Sequence, residues 1–119
     1  MTIAFVAGAS GYTGREVVKT LRERGIRTIA HVRPDSPSRA EHRAYFAELG
    51  AESDETPWEE EAIAATIARL RPTHVFALLG ITKKRAAAEA RETGREVSYD
   101  SVDYGLTVML LRAAKAVKA

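Results

Sequence analysis

Three glycines near the start of the chain have the spacing of a turn that can bind phosphate groups. Gly8, Gly11 and Gly14 lie between a short apolar run and a segment with helical periodicity. We expect a sharp turn at Gly8, close approach of backbone to a pyrophosphate near Gly11, and close helix–strand packing at Gly14, because a Cβ atom would obstruct each. The following helix offers free N–H groups and a partial positive charge. This predicts a dinucleotide-binding turn, unless the glycines only shape a tight crossover.

The end of the second apolar run indicates which dinucleotide such a turn would favour. An acidic residue at this point would hold the ribose 2′-hydroxyl, but Arg33 stands there, and a guanidinium can pair with a 2′-phosphate. Ser36, Ser38 and Arg39 lie within reach in the same loop. The pattern therefore favours NADP over NAD. The alternative is that Arg33 is an ordinary solvated residue and that Asp35 binds the ribose.

The composition excludes several other functions. The 119 residues carry 18 Lys and Arg against 16 Asp and Glu, which is too small a basic excess for general nucleic-acid binding. Cysteine is absent, which excludes disulfides, thiolate metal sites and cysteine nucleophiles. No histidine and carboxylate pair has metal-ligand spacing, so no metal site is expected, and we expect His31 and His74 to be structural. No run is long enough to span a membrane and no signal peptide precedes the first strand, so we expect a cytoplasmic protein.

The pattern of apolar runs and amphipathic segments predicts the elements that position these residues. Four short apolar runs predict strands at 3–7, 28–32, 51–53 and 74–79; the third is the weakest and the fourth is expected to be fully buried. Helical periodicity predicts helices after Gly14, at 40–49, around 60–70, at 83–95 and at 98–118. Alternating strands and helices predict an α/β fold with a parallel sheet covered on both faces. We interpret residues 1–119 as one domain.

These features together resemble the extended and atypical members of the short-chain dehydrogenase/reductase superfamily, which bind NAD(P) and include epimerase-like proteins. The resemblance rests on the three-glycine motif with Tyr12 and Thr13 inside it, on Val32-Arg33, on Leu78-Leu79-Gly80, and on the segment from Val102 to Thr107. It implies a Rossmann-type doubly wound sheet, of which this chain is similar to the first half, about four strands.

The resemblance also implies roles for individual residues. The pyrophosphate would be lined by Gly8, Ser10, Gly11, Tyr12, Thr13 and Gly14. The 2′-phosphate would lie at Arg33 and Ser36, the adenine at Asp54, and the ribose region at Leu79, Gly80 and Ile81. The implied cofactor is NADP, with NAD the less favoured choice.

The catalytic residues of the superfamily have no counterpart in the sequence. Its members carry a Tyr-x-x-x-Lys pair in their second half, whereas Tyr12, Tyr45, Tyr99 and Tyr104 are not followed by lysine at the fourth position. We therefore predict no catalytic residue here and interpret the chain as the NADP(H)-binding part of an oxidoreductase, epimerase or dehydratase. The alternatives are a non-catalytic nucleotide sensor or scaffold, and a fragment with no function of its own.

The expected half-fold also predicts a partner. The strand from His74 to Leu79 would have an unpaired edge, and the helix from Val102 to Val117 carries apolar residues on more than one side. We expect these two surfaces to contact a second copy of the chain or a missing C-terminal half.

Overall fold

A parallel sheet of four strands lies at the centre of the part of the chain that the structure describes. This computed structural model describes residues 2–78 and 99–117, with side chains for 2–78 and 107–117. The strands are β1 (Ile3–Ala7), β2 (Arg27–His31), β3 (Glu52–Asp54) and β4 (His74–Ala77), in the spatial order β3-β2-β1-β4. Every pairing is parallel. The carboxyl ends of the strands, where parallel sheets bind their ligands, therefore share one edge.

Helices cover both faces of this sheet. They are α1 (Tyr12–Glu23), α2 (Arg39–Glu48), α3 (Glu60–Leu70) and α4 (Tyr99–Ala116). Residues of α1 and α2 share one apolar cluster with the strands, and residues of α3 and α4 share the other. The predicted Rossmann-type doubly wound arrangement is confirmed.

The two clusters meet at β1, the most deeply buried strand. Phe5 packs with Ile63, Ile67 and Leu110 in one cluster, while its neighbour Val6 packs on the opposite face. Successive side chains of a strand point to opposite faces, so β1 contributes to both layers. The partners of Val6 in the second cluster include Val18, Ala30, Val32 and Phe46. This double burial fixes the position of the turn that follows Ala7.

The prediction that the fourth strand is fully buried is wrong. His74 and Ala77 are exposed, and Val75 and Phe76 are only half buried. Within the described residues β4 pairs with β1 alone, so its other edge carries no strand. An apolar run shows that a strand suits burial, but it does not show whether a further strand covers it.

The remaining elements lie close to their predicted positions. The weak third strand forms at Glu52–Asp54, one residue further along the chain than expected. The last helix buries Leu110 and Ala113 and leaves Leu111 exposed, as its two-sided apolar pattern indicated. The predicted helix at 83–95 lies outside the described residues.

Candidate functional site

The glycine motif forms the connection between the carboxyl end of β1 and the first turn of α1. Gly8 has a φ of 80°, in the left-handed region that glycine adopts most readily. The N–H of Gly11 donates to the carbonyl of Gly8 over 3.3 Å and closes the turn. Helix α1 then begins at Tyr12, whose side chain is 79% exposed.

Gly14 is the glycine that the fold itself requires. It is buried in the first turn of α1. A Cβ atom there would collide with the carbonyl oxygen of Gly8 and would lie 2.7 Å from Cα of Ala9. These are backbone atoms that cannot rotate away, so this glycine sets how closely α1 approaches the end of β1. The predicted role of Gly14 in helix–strand packing agrees with this geometry.

Gly11 differs, because none of the residues that the structure describes crowds it. Among the described atoms, a Cβ atom there would meet only the Gly8 carbonyl oxygen, at an ordinary 3.6 Å. The backbone has φ −74° and ψ 169°, which other residues adopt. Gly11 caps α1 without a side-chain hydrogen bond, and the first turn holds no acidic residue. The first N–H groups of the helix are therefore open to an anion, and the missing side chain leaves the backbone accessible. These features fit a dinucleotide pyrophosphate.

A polar pocket lies beside this turn, at the end of β2. Its volume is about 210 Å³, and it is lined by Ser10, Arg33, Asp35, Ser36 and Pro37. The structure thus brings together three predicted site residues from two separate loops. It also places Asp35 against Arg33, with Nη2 donating to the carboxylate Oδ2 over 2.9 Å. A guanidinium and two serines in one concave site fit a phosphate group carried on a ribose.

The loop that carries Arg33 is held by contacts with its neighbours. Ser36 donates its N–H to the Arg33 carbonyl over 3.1 Å, and its hydroxyl accepts the N–H of Ser38. Arg39, at the start of α2, donates to the Pro34 carbonyl over 2.9 Å and lies 3.8 Å from Glu55. The loop is therefore connected to the segment after β3. Arg39 supports the pocket from outside it.

Asp54 lies one strand further from the turn. Its carboxylate accepts the backbone N–H of Thr56 over 3.2 Å and lies 3.8 Å from Arg69. Its side chain is only 11% exposed, and it is not among the residues that line the polar pocket. The structure therefore gives Asp54 a local role in the connection from β3 to α3.

His31, which pairs in register with Asp54, is a buried structural residue. Its Nε2 lies 2.7 Å from the Thr56 carbonyl, so this nitrogen carries the proton and donates. The rings of Phe5 and Trp58 lie 6.1 and 4.5 Å away. Burial lowers the pKa of His31, and the hydrogen bond to Thr56 opposes this only in part. The lowered pKa favours the neutral imidazole. His31 is not among the residues that line the polar pocket.

Some predicted features lie outside the described residues. Leu79, Gly80 and Ile81, which the resemblance places near the ribose, follow Leu78, where the description of this strand ends. In the part of the chain that is described, no group of three or more potential metal ligands occurs. No described helix is both long and apolar enough to cross a membrane.

Two features of the site went beyond the sequence interpretation. Asp35 was considered only as an alternative to Arg33, whereas the two side chains form a pair. The ionic contacts of Glu55 with Arg39 and Arg43, at 3.8 and 3.3 Å, were not expected. The two-residue spacing of Arg33 and Asp35 was a usable signal, while the partners of Glu55 lie too far away in sequence to be inferred.

The sequence matches a known family over almost its entire length. The profile of the NAD dependent epimerase/dehydratase family matches residues 4–118. A search of curated proteins finds no match.

Solved structures share the fold at low sequence identity. A leucoanthocyanidin reductase from Vitis vinifera, in a binary complex with NADPH, is 21% identical over 98% of this chain and 33% of its own, with a TM-score of 0.65. UDP-glucose 4-epimerase from Brucella ovis, in complex with NAD, is 18% identical over 99% of this chain and 33% of its own, with a TM-score of 0.69. UDP-glucose-4-epimerase from Stenotrophomonas maltophila, with bound NAD and formylated UDP-arabinopyranose, is 14% identical over 100% of this chain and 34% of its own. Its TM-score is also 0.69. The chain spans about a third of the length of these proteins.

Proposed function

The chain belongs to the NAD dependent epimerase/dehydratase family, and we propose that it forms the NADP(H)-binding part of an oxidoreductase or epimerase. The observation that carries this proposal is the turn from β1 to α1. There the backbone at Gly11 is accessible and the first N–H groups of α1 are open. The neighbours solved with NADPH or NAD support a nicotinamide dinucleotide as the ligand. The guanidinium of Arg33 in the adjacent pocket favours NADP.

Each part of the cofactor has its own group of residues in this proposal. The backbone from Gly8 to Gly14, with the side chains of Ser10, Tyr12 and Thr13, binds the pyrophosphate. Arg33 and Ser36 bind the 2′-phosphate, Asp54 lies toward the adenine, and Leu79, Gly80 and Ile81 lie toward the ribose. When bound, the nicotinamide ring supplies hydride transfer. The residues of this chain bind and orient the cofactor. They do not serve as the acid or base that transfers a proton in the reaction.

The catalytic groups lie elsewhere in this proposal. All 119 residues form a single cofactor-binding domain, and no tyrosine is followed by lysine at the fourth position. The acid or base therefore comes from a further part of a longer protein. A second candidate is a non-catalytic sensor or scaffold that binds the dinucleotide, and the unpaired edge of β4 within the described residues favours it because such an edge can join two chains.

A partner surface lies on either side of that edge. A groove of about 410 Å³ between β4 and α4 is lined by residues that include Val75, Leu110 and Leu111. A second groove, of about 390 Å³, lies between α1 and β4 and includes Val17, Leu21 and Phe76. In this proposal a second copy of the chain, or the remainder of the protein, covers both.

A calorimetric titration with NADPH and with NADH tests the proposal. We expect both to bind, with NADPH the tighter ligand, and we expect Gly11→Val to abolish binding because the side chain blocks the backbone. A melting curve for the variant controls for folding, which the free space at Gly11 should preserve. No binding of either nucleotide by the wild-type chain, or full affinity in Gly11→Val, would contradict the proposed role of the turn.

A further inference from the structure

The guanidinium of Arg33 already has an anionic partner within its own loop. Its Nη2 donates to Oδ2 of Asp35 over 2.9 Å. The two side chains are unequally accessible, at 31% exposure for Arg33 and 69% for Asp35. Both line the polar pocket together with Ser10 and Ser36. A ligand that enters this pocket therefore meets an ion pair rather than a free cation.

The two forms of the cofactor are affected differently by this pair. A 2′-phosphate needs the N–H groups of Arg33 and brings its own negative charge close to the Asp35 carboxylate, which repels it. An unphosphorylated ribose brings no charge, and its hydroxyl groups can donate to a carboxylate. Asp35 therefore opposes binding of the phosphorylated ribose and does not oppose binding of the unphosphorylated ribose.

The pair can be displaced, because it is partly exposed to solvent and exposed ion pairs are weak. Among the side chains that the structure describes, the one cation within 4.0 Å of Asp35 is Arg33. Arg39, the nearest other guanidinium in sequence, is directed to the Pro34 carbonyl and to Glu55. Arg33 must therefore serve both the carboxylate and any incoming phosphate.

We propose that Asp35 is a specificity-determining residue that competes with the 2′-phosphate for Arg33, so that the site prefers NADP over NAD only weakly. This inference rests on the proposed function, since it requires the adenosine end of the cofactor to lie in this pocket. Asp35 limits the selectivity that Arg33 alone would give.

The test is an Asp35→Asn variant titrated with fragments of the cofactor. Asparagine keeps the size of the side chain and suits a turn equally well, but it removes the charge. Calorimetry with 2′,5′-ADP and with 5′-AMP reports on the adenosine end without any catalysis. We expect Asp35→Asn to tighten binding of 2′,5′-ADP about five-fold, the factor that corresponds to the loss of one exposed ion pair. Affinity for 5′-AMP should be unchanged or slightly lower, and the ratio of NADPH to NADH affinity should rise in parallel.

A matched control separates this effect from net charge. Glu48→Gln removes one negative charge at the opposite end of α2 and should leave the ratio of the two fragment affinities unchanged. An unchanged ratio in Asp35→Asn, or an equal rise in Glu48→Gln, would overturn the role of Asp35 while leaving cofactor binding intact. If the wild-type chain binds no fragment and neither NADPH nor NADH, both the inference and the proposed function are overturned.

Discussion

The three glycines of the turn between β1 and α1 differ in what the fold requires of them. Gly8 is required by its backbone conformation, with φ at 80°, and Gly14 by the backbone of Gly8 and Ala9 that lies against it. Gly11 is required by neither, because the described residues around it leave room for a side chain. A glycine that the fold does not need is explained best by a ligand that the backbone must approach.

Alanine substitutions should separate these two kinds of glycine. In an exposed helix Gly→Ala is stabilising by about 1 kcal/mol, but at Gly14 the collision with backbone should reverse the sign and cost about 1–3 kcal/mol. Gly11→Ala should change the free energy of unfolding by less than about 1 kcal/mol, the size of an N-cap effect. Urea denaturation of both variants measures this. Equal losses of stability would show that Gly11 is also a packing residue.

At the level of single residues, the sequence was informative where the residue type itself determines what a position does. The spacing of the glycines predicted the turn that the structure forms between β1 and α1. Arg33 and Ser36 line one pocket with Ser10, and their role toward a 2′-phosphate stays a prediction. The pairing of Arg33 with Asp35 was harder to predict, since two charged residues two positions apart can face either solvent or each other. Asp54 is engaged by Thr56 and Arg69, contacts that follow from the fold and not from local sequence.

At the level of secondary-structure elements, a partly buried hydrogen bond joins β2 to the segment after β3. His31, the last residue of β2, donates from Nε2 to the Thr56 carbonyl. The side chain is 1% exposed, and its pKa is lowered mainly by burial. Protonation would place a charge between apolar rings, so this link favours the neutral imidazole.

The free energy of unfolding should therefore depend on pH through His31. The folded-state pKa lies below the usual 6.5, so the unfolded chain binds the proton first as the pH falls. The contribution of His31 to stability is full above pH 6.5 and is lost as the pH falls from there toward the lowered pKa, by at most about 1.4 kcal/mol per pH unit.

Urea denaturation between about pH 8 and pH 5.5, around the usual histidine pKa, tests this dependence. His31→Gln, which keeps a donor for Thr56, should flatten the profile, whereas the control His42→Gln should not. A wild-type profile that matches that of His31→Gln would contradict the account.

The elements that were hardest to predict are those that depend on distant partners. Strand β3 contains little apolar sequence, and it forms because Glu52 pairs in register with Ile29 and binds Arg27 through two hydrogen bonds of 2.7 and 3.1 Å. That ion pair lowers the pKa of Glu52. In contrast, both ends of β1 were predicted to the residue. This strand is buried on both faces, so its continuous apolar sequence is enough to identify it.

For the whole molecule, the main feature is the edge of β4, on which the described residues place no further strand. Its two flanking grooves contain apolar residues from α1, β4 and α4, and Leu111 is 58% exposed beside one of them. An exposed apolar surface next to an unpaired strand edge is typical of an interface. What packs on this side could not be predicted from the sequence, because an apolar run does not identify the surface that covers it.

We therefore expect the isolated chain to associate with itself. Sedimentation should give a mass above 13.0 kDa that rises with concentration. Leu111→Glu should shift the mass toward the monomer because it places a charge at the groove, while Ala116→Glu, at an exposed position of the same helix, should not. A monomer at every concentration would contradict self-association of this surface.

In the proposed function, a nicotinamide dinucleotide binds at the turn between β1 and α1. The most direct measurement is an amide chemical-shift titration of the ¹⁵N-labelled chain with NADPH. We predict the largest shifts at Tyr12, Thr13 and Gly14, whose N–H groups begin α1, and at Arg33 and Ser36 in the adjacent pocket. No shifts at saturating NADPH, or shifts confined to the grooves beside β4, would contradict it.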